Sequence, residues 1–393
     1  LVSFLKISEG DVLEIKIEKM AVGGSGLSRH QGAVIFVPRS APEDLLKVKI
    51  TEAKKNFYLA EIIKIIEPSR FRKAPPCPYF DRCGGCSWQH ISEEHQRQFK
   101  HLLIQETFSK FLPEGPLPNF EVIPSPKDFR YRNRIQPKVQ KSRVGFYEQG
   151  SHDLVEIEDC LITEEKLMSA WPKLKKEISA KKITEGRYEL FLDESEEPRW
   201  YEMSEEKDSL GFSQVNRFQN ENLVNILLQW CKDFPDKPGR IIDLYAGSGN
   251  LSFPLSATFK KSSLIMVELH QRLAQVARKR ALEQNLSPKQ FEVFCSDVTR
   301  FLKKFQLDRN DLVILDPPRT GTEDLVMKSL AFARLKRFIY VSCHPVTMAR
   351  DLKVYFDQAQ LLGFKPRLEK FLALDMFPQT DHIELLAEVR IDS

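Results

Sequence analysis

Cys343 ends an apolar run: Phe338-Ile-Tyr-Val-Ser-Cys-His-Pro345 passes from a strand-like stretch into a polar turn. Open α/β sheets bind ligands and do chemistry at the carboxyl ends of their strands, so this thiol, flanked by His344, is a candidate nucleophile. The competing reading is an inert packed cysteine, since free cysteine is among the most buried residue types. Upstream, Leu315-Asp-Pro-Pro-Arg-Thr-Gly321 repeats the layout of apolar strand and rigid turn, with Asp316 as its acid. Asp243-Leu-Tyr-Ala-Gly-Ser-Gly-Asn250 is a third such turn. Its Gly247 and Gly249 permit a tight bend and close approach of backbone to ligand, although G-x-G lacks the third glycine of the dinucleotide fingerprint. Glu268, twenty-one residues after Gly247, ends the next strand and can accept hydrogen bonds from both hydroxyls of a ribose. Asp297, closing a third strand, is a candidate acceptor for an adenine amino group. Together these residues predict a nucleoside cofactor; NAD and S-adenosylmethionine both fit the first two strands.

The seven cysteines are unevenly spread. Cys77, Cys83 and Cys86 form a C-x5-C-x2-C run that encloses Gly84 and Gly85, and Cys160 is available as a fourth thiolate. In a reducing compartment such a cluster marks a metal or redox site rather than a disulfide framework. Four thiolates suit an iron–sulfur cluster and a closed tetrahedral zinc site, and the spacing leaves both open. From Lys127 to Arg143, seven basic residues accompany one acid, Asp128. Within this strip Phe129-Arg-Tyr-Arg-Asn-Arg134 interleaves aromatics with Arg130, Arg132 and Arg134, a pattern suited to base stacking and phosphate contact. An ordinary basic strand face is the alternative.

The elements that must position these residues fall into three segments. A chain of 393 residues predicts two to four domains. Its 42% hydrophobic and 29% charged content is that of a soluble globular protein, and a net charge of +4 does not by itself demand a polyanionic partner. Residues 1–68 read as about five short strands, from Val12-Leu-Glu-Ile-Lys-Ile17 to the run at 58–65, enough for a small OB-like β-barrel of a type that often binds oligonucleotides. Pro68 and Pro75-Pro76 open a central α+β segment, 69–205, with helix-like stretches at 93–111 and 164–180. From 206 to 393 strands alternate with helices, which predicts a doubly wound, mostly parallel sheet. No apolar run approaches the roughly 20 residues needed to span a bilayer, and the first residues lack a signal-peptide pattern. A cytoplasmic monomer without an obligate protein partner is the expectation.

The Asp-Pro-Pro turn decides between the two cofactors. It resembles the D/N-P-P motif beside the reacting methyl group of class I methyltransferases, so S-adenosylmethionine is expected. A thiol beside a methyl donor has a definite chemistry open to it. Carbon 5 of uracil is a poor nucleophile, but thiolate addition at carbon 6 makes it enolate-like and able to take a methyl group. A base must then remove the carbon 5 proton so that the thiol can leave. Glu384, in the alternating run Thr380-Asp-His-Ile-Glu-Leu-Leu386, is the candidate base, on the same side as His382.

Phe212-Ser-Gln-Val-Asn216, Asp243 to Asn250, Asp316 to Gly321, Val341-Ser-Cys-His-Pro345 and Asp381-His-Ile-Glu384 are similar, in content and order, to the motifs of the RNA uracil-5-methyltransferase family. The amino-terminal segment resembles a TRAM domain, and with the cysteines it extends the resemblance over nearly the whole chain. This combination is most similar to the branch acting on 23S rRNA, while enzymes of the same architecture modify tRNA. The resemblance implies Cys343 as nucleophile and Glu384 as base. It implies S-adenosylmethionine contacts from Gln214, Tyr245, Asn250, Glu268, Asp297 and Asp316, and a [4Fe-4S] cluster on Cys77, Cys83, Cys86 and Cys160. The glycine turn departs from common family residues at Ala246 and Ser248 but keeps its glycines and Asn250. An RNA partner whose target base is flipped from its stack is expected. Amino-methyltransferases also carry Asp-Pro-Pro, but usually with an aromatic where Arg319 stands, and they need no cysteine. A non-catalytic RNA-binding assembly factor would have no use for Cys343 and Glu384.

Overall fold

The computed structural model describes residues 7–112, 117–203, 214–234, 237–284, 286–287 and 290–391. Two compact units emerge, one from Leu1–Leu103, Lys127–Glu202 and Phe377–His382, the other from Ile104–Pro126, Met203–Met376 and Ile383–Ser393.

The first unit opens with six strands: β1 (Val12–Lys16), β2 (Lys19–Met20), β3 (Gly26–His30), β4 (Ala33–Val37), β5 (Leu45–Ala53) and β6 (Tyr58–Glu67). They form one sheet in the order β1-β5-β6-β4-β3-β2. Alternation along β5 turns Leu46, Val48 and Ile50 inward and Lys47 and Lys49 outward. Those side chains join Ile15, Ile17, Ile35 and Val37 in the core. Register shifts between β5 and β6 bend the sheet as bulges do. Against an expectation of about five strands there are six; β2, two residues long, is too short to leave a period in the sequence, and β3 occupies residues whose glycine and polar side chains read as turns.

Asp44 ties this sheet to the chain that leads into the cysteines. Fully buried, it accepts from the backbone N–H groups of Ala41 (2.6 Å) and Ser69 (2.8 Å) and from Nε and Nη2 of Arg72 (2.7 Å each).

Helix α1 (Glu93–Phe111) follows, its residues from Ile104 on belonging to the second unit, as does strand β7 (Val122–Ile123). The rest of the first unit is an antiparallel sheet of β8 (Arg134–Ile135), β9 (Lys138–Gln140), β10 (Arg143–Tyr147), β11 (Leu154–Glu156), β12 (Glu185–Leu192) and β13 (Pro198–Glu202). Its order is β11-β10-β9-β12-β13, with β8 paired to β12. The expected single helix at 164–180 is two, α2 (Glu165–Met168) and α3 (Trp171–Ala180). Pro172 explains the break, because it has no N–H to continue α2 and its ring opposes the carbonyl four residues back. Trp171, Leu174 and Ile178 of α3 pack with Val139, Val144 and Leu190 of the sheet.

The second unit alternates as expected: α4 (Arg217–Lys232), β14 (Arg240–Leu244), α5 (Ser252–Thr258), β15 (Ser263–Glu268), α6 (Gln271–Glu283), β16 (Phe291–Cys295), α7 (Val298–Leu302), β17 (Leu312–Leu315), α8 (Asp324–Ala333), β18 (Arg337–Ser342), α9 (Pro345–Leu361), β19 (Pro366–Leu374) and β20 (Glu384–Ile391). The sheet order is β16-β15-β14-β17-β18-β20-β19-β7. Strands β14 to β18 pair in parallel. Every residue of β17 is buried, as a strand covered on both faces requires. Strand order reverses between β14 and β17, the switch point where such sheets bind ligands. Because β20 runs antiparallel to β18, its first residue lies at the sheet edge where the parallel strands end. Among the described residues no helix is long and apolar enough to cross a membrane.

Replacing Arg72 by Met leaves the Asp44 carboxylate buried without its countercharge. Urea unfolding should show the first unit destabilised by about 3–5 kcal/mol; a loss below about 1 kcal/mol would mean that Arg72 does not carry that charge.

Candidate active site and cysteine cluster

Four neighbouring strands bring reactive groups to one edge of the second unit's sheet. Asp243 lies near the end of β14, Asp316 follows β17, Cys343 follows β18 and Glu384 begins β20. Register aligns the last two: Ser342 pairs with Leu385, so Cys343, one residue on, stands opposite Glu384, one residue back. Burial pushes the Asp243 carboxyl up to about 7, with Asp316 and Glu268 adding and a hydrogen bond from the Ser252 hydroxyl opposing. Burial also raises Asp316. Glu384, 2% exposed, is pushed well above the usual carboxylate range by burial and by the charge of Asp316. The Cys343 thiol is pushed up to about 12 by burial, then by Glu384 and Asp316, while Arg319 acts in the opposite sense. Cys343 precedes α9, whose N-cap is His344, and a helix amino terminus favours a thiolate.

The glycine turn sits beside this row. Tyr245, Gly247 and Gly249 have φ of 69°, 55° and 91°, and a Cβ on Gly249 would come within 2.3 Å of Phe253 Cε2. A non-glycine residue held at positive φ, as Tyr245 is, stores strain of a kind that clusters at functional sites. Glu268 accepts from the backbone N–H groups of Gly247 (2.8 Å) and His270 (2.7 Å). A carboxylate has about four acceptor positions, so capacity remains for a ribose. Asn250 exchanges amide hydrogen bonds with Asn220 at 2.8 and 3.0 Å. Asp297 caps α7 by accepting from the Arg300 backbone N–H at 2.9 Å, and its charge reaches Tyr245. Gln214 is buried. Close behind it Asn216 caps α4 and donates to Ser125 Oγ and the Met376 carbonyl, each at 3.0 Å. Phe212 and Ser213 lie outside the described residues.

In the first unit the four cysteines of the expected metal site are free and partly buried. Burial raises the thiols of Cys77, Cys83 and Cys86, the last to about 12, and Cys160 is near enough to add to each. Gly84 donates to the Tyr147 carbonyl at 2.9 Å, and a Cβ there would sit 3.1 Å from that oxygen, so the loop lies tight against β10. Among the described residues no group of three or more His, Cys, Asp or Glu side chains is set to hold a metal ion.

The arginines of the basic strip make contacts within the protein. Within residues 129–135 only Arg134 and Ile135 form a strand, and Arg130 turns the chain at φ 54°. The Arg130 guanidinium is bidentate to Asp159 (2.6 and 2.8 Å) and donates to the Cys160 carbonyl at 3.1 Å. Arg134 pairs with Glu189 at 3.3 Å, and Lys73 lies over the ring of Phe129. Arg132 stacks on Phe377, and Cys86 and Cys160 are among the groups whose charge acts on it. Arg130 and Arg134 are thus engaged by acids and a carbonyl of the protein. Alternating arginines and aromatics cannot distinguish an open face from such internal pairing.

Two helix residues that reach the strands were not legible in the sequence: Ser252 of α5, the donor to Asp243, and Asp351 of α9, which accepts from Tyr340 on β18. Both meet their partners through the fold, and neither sits in a local motif.

A family model described as tRNA (Uracil-5-)-methyltransferase matches residues 200–387, and a TRAM domain model matches residues 6–63. An uncharacterized RNA methyltransferase of Bdellovibrio bacteriovorus is 44% identical over 98% of this chain and 96% of its own. The 23S rRNA (uracil(1939)-C(5))-methyltransferase RlmD of Dichelobacter nodosus is 31% identical over 92% of this chain and 94% of its own. The chain belongs to the RNA (uracil-5-)-methyltransferase family. Pyrococcus abyssi tRNA (uracil-54, C5)-methyltransferase, solved in complex with S-adenosyl-L-homocysteine, shares the fold: the TM-score is 0.71 over 96% of this chain and 100% of that one, at 24% identity.

Asp243 and Asp316 of this RNA methyltransferase fold with carboxyl groups that burial raises above the usual carboxylate range. The native state therefore holds more protons than the unfolded chain, and the stability this confers is present below pH ~4 and lost as pH rises through about 7. Asp316→Asn should accordingly raise the melting temperature of the second unit more at pH 8 than at pH 5, read by calorimetry. An equal shift at both pH values would show that Asp316 does not titrate in this window.

Proposed function

We propose that this RNA (uracil-5-)-methyltransferase uses S-adenosylmethionine to methylate carbon 5 of a uridine in structured RNA, with 23S rRNA as the substrate. One observation carries the reading: Asp243, Asp316, Cys343 and Glu384 stand in a row at adjacent strand ends. Buried acids with raised proton affinity ionise more readily beside a positive charge, which suits a cationic ligand, and the thiol beside a carboxyl group supplies a nucleophile and a base. When bound, the donor supplies an electrophilic methyl group. Gln214, Tyr245, Gly247, Asn250, Glu268, Asp297 and Asp316 are its contacts, with Glu268 toward the ribose.

The Cys343 thiolate adds to carbon 6 of a flipped uracil, leaving carbon 5 with an enolate-like electron pair that takes the methyl group. Glu384 removes the proton from carbon 5; the electron pair it leaves re-forms the 5,6 double bond and expels Cys343 as thiolate. The raised proton affinity of Glu384 suits that role. Arg319 and the start of α9 favour the ionised thiol.

RNA containing 5-fluorouridine has no carbon 5 proton to lose, so it should accumulate as a covalent adduct in the presence of S-adenosylmethionine. The adduct should vanish in Cys343→Ala, and its persistence there would sink the mechanism. Glu384→Gln should lower turnover by roughly 10²–10⁴-fold and trap methylated adduct on ordinary uridine.

Relatives named as 23S rRNA enzymes, matched over 92–96% of this chain, support the choice of RNA. A tRNA substrate is the second reading, because the matched family model carries a tRNA name. Mapping 5-methyluridine in total RNA from cells lacking the gene separates the two.

We also propose that Cys77, Cys83, Cys86 and Cys160 hold a [4Fe-4S] cluster. Arg132 Nε is shut off from solvent with no hydrogen-bond partner among the described residues, and a guanidinium so placed calls for anions. Metal-bound thiolates at Cys86 and Cys160 would provide them. Four thiolates suit a zinc ion as well as a cluster, and the resemblance to cluster-bearing RNA uracil-5-methyltransferases supports the cluster. Anaerobic purification should yield iron and sulfide with a visible absorption band. Zinc without iron would overturn the assignment.

A further inference from the structure

Asp351, in the second turn of α9, is 2% exposed. Its Oδ2 accepts from the Tyr340 hydroxyl at 2.6 Å and from the Thr322 backbone N–H at 2.8 Å. Its Oδ1 accepts from Arg350 Nε at 2.8 Å and Nη2 at 2.6 Å. Arg350 Nη2 also donates to the carbonyls of Thr320 (2.9 Å) and Thr322 (3.3 Å). Tyr340 stands three residues before Cys343 on β18, and residues 320–322 close the turn that begins at Asp316. Gly321 allows the contact: at φ 79°, a Cβ there would lie 2.4 Å from Arg350 Nη2 and 2.5 Å from Asp351 Oδ2.

One buried carboxylate therefore gathers donors from a strand, a turn and its own helix. A charged acceptor satisfied from several sides holds its partners far more rigidly than apolar packing does. We propose that Asp351, with Arg350, is a positioning residue that locks the Asp316–Thr322 turn to the strand and helix flanking Cys343, and so sets the spacing of Asp316 and Arg319 from the thiol. This rests on the catalytic reading of Cys343 and Asp316 given above. A merely structural role would lower the melting temperature and leave the folded enzyme's turnover intact. Positioning predicts that kcat falls while KM for RNA holds, because a misplacement of about 1 Å can cost about 10²-fold.

The test uses the full chain with 5-fluorouridine RNA and S-adenosylmethionine under single-turnover conditions, alongside steady-state kinetics on unmodified RNA. Asp351→Asn and Arg350→Ala should each slow adduct formation by about 10- to 100-fold, with KM for RNA changed less than about threefold. Millimolar methylguanidinium should restore part of the rate to Arg350→Ala and none to Asp351→Asn. Arg350 is partly exposed, with a side-chain accessibility of 43%, so its variant still decides the matter if Asp351→Asn does not fold. Parent-like adduct rates in a folded variant would overturn the positioning role. Failure of the parent enzyme to form any adduct would overturn the catalytic reading beneath it.

Discussion

Carboxyl groups are costly to bury side by side, and this chain sets three of them along one sheet edge together with a thiol. In a low-dielectric setting each acid disfavours ionisation of the next, so the groups retain protons well above the usual carboxylate range. The rest of the second unit serves that arrangement. Parallel pairing of β14, β17 and β18 brings three strand ends level, and the antiparallel return of β20 adds Glu384 from the opposite direction. Pro317 and Pro318 stiffen the turn after β17, and Asp351 fixes its far end. Without a rigid frame the acids would relax toward water.

The readable parts of this design were those written locally. Gly247 and Gly249 take up positive φ as their turn requires, and the strand-then-turn layout at Asp316 and Cys343 reports a strand end because its signal lies within a few residues. Glu384 was legible only as a residue of an alternating strand; its meeting with Cys343 depends on the β18–β20 register, which no single segment encodes. Asp297 was expected to face a ligand and also caps α7. One acid can do both, and local sequence does not separate the roles. The break between α2 and α3 was marked by Pro172, but the apolar pattern ran through it.

The first unit shows the same kind of compensation with the signs exchanged. Arg130, Arg132 and, from the end of β4, Arg39 gather around the cysteine loop; Arg39 donates to the Cys83 carbonyl at 3.4 Å. Two arginines of the strip, Arg130 and Arg134, are paired with the protein's own acids. Composition was right that positive charge is concentrated there and silent on which anion it faces. Partners distant in sequence decide that: Asp159 for Arg130 and Glu189 for Arg134.

In the proposed mechanism the acid row would also order the steps at Cys343 and Glu384. Both groups shed protons more readily when a positive charge lies close, since opposite charge favours the ionised form of each. Under that mechanism a bound cationic methyl donor would let the thiol ionise and add while Glu384 stays a weak, deprotonated base. Once the methyl group has moved to carbon 5 the positive charge is gone, and Asp316 again raises the proton affinity of Glu384. The base is then strongest at the step that needs it, removal of the carbon 5 proton. A single exposed carboxylate would change little between these states, because water would screen it in both. Burial beside a second acid is what makes Glu384 responsive, and the stability lost by holding Asp243, Asp316 and Glu384 together is the counterpart of that responsiveness.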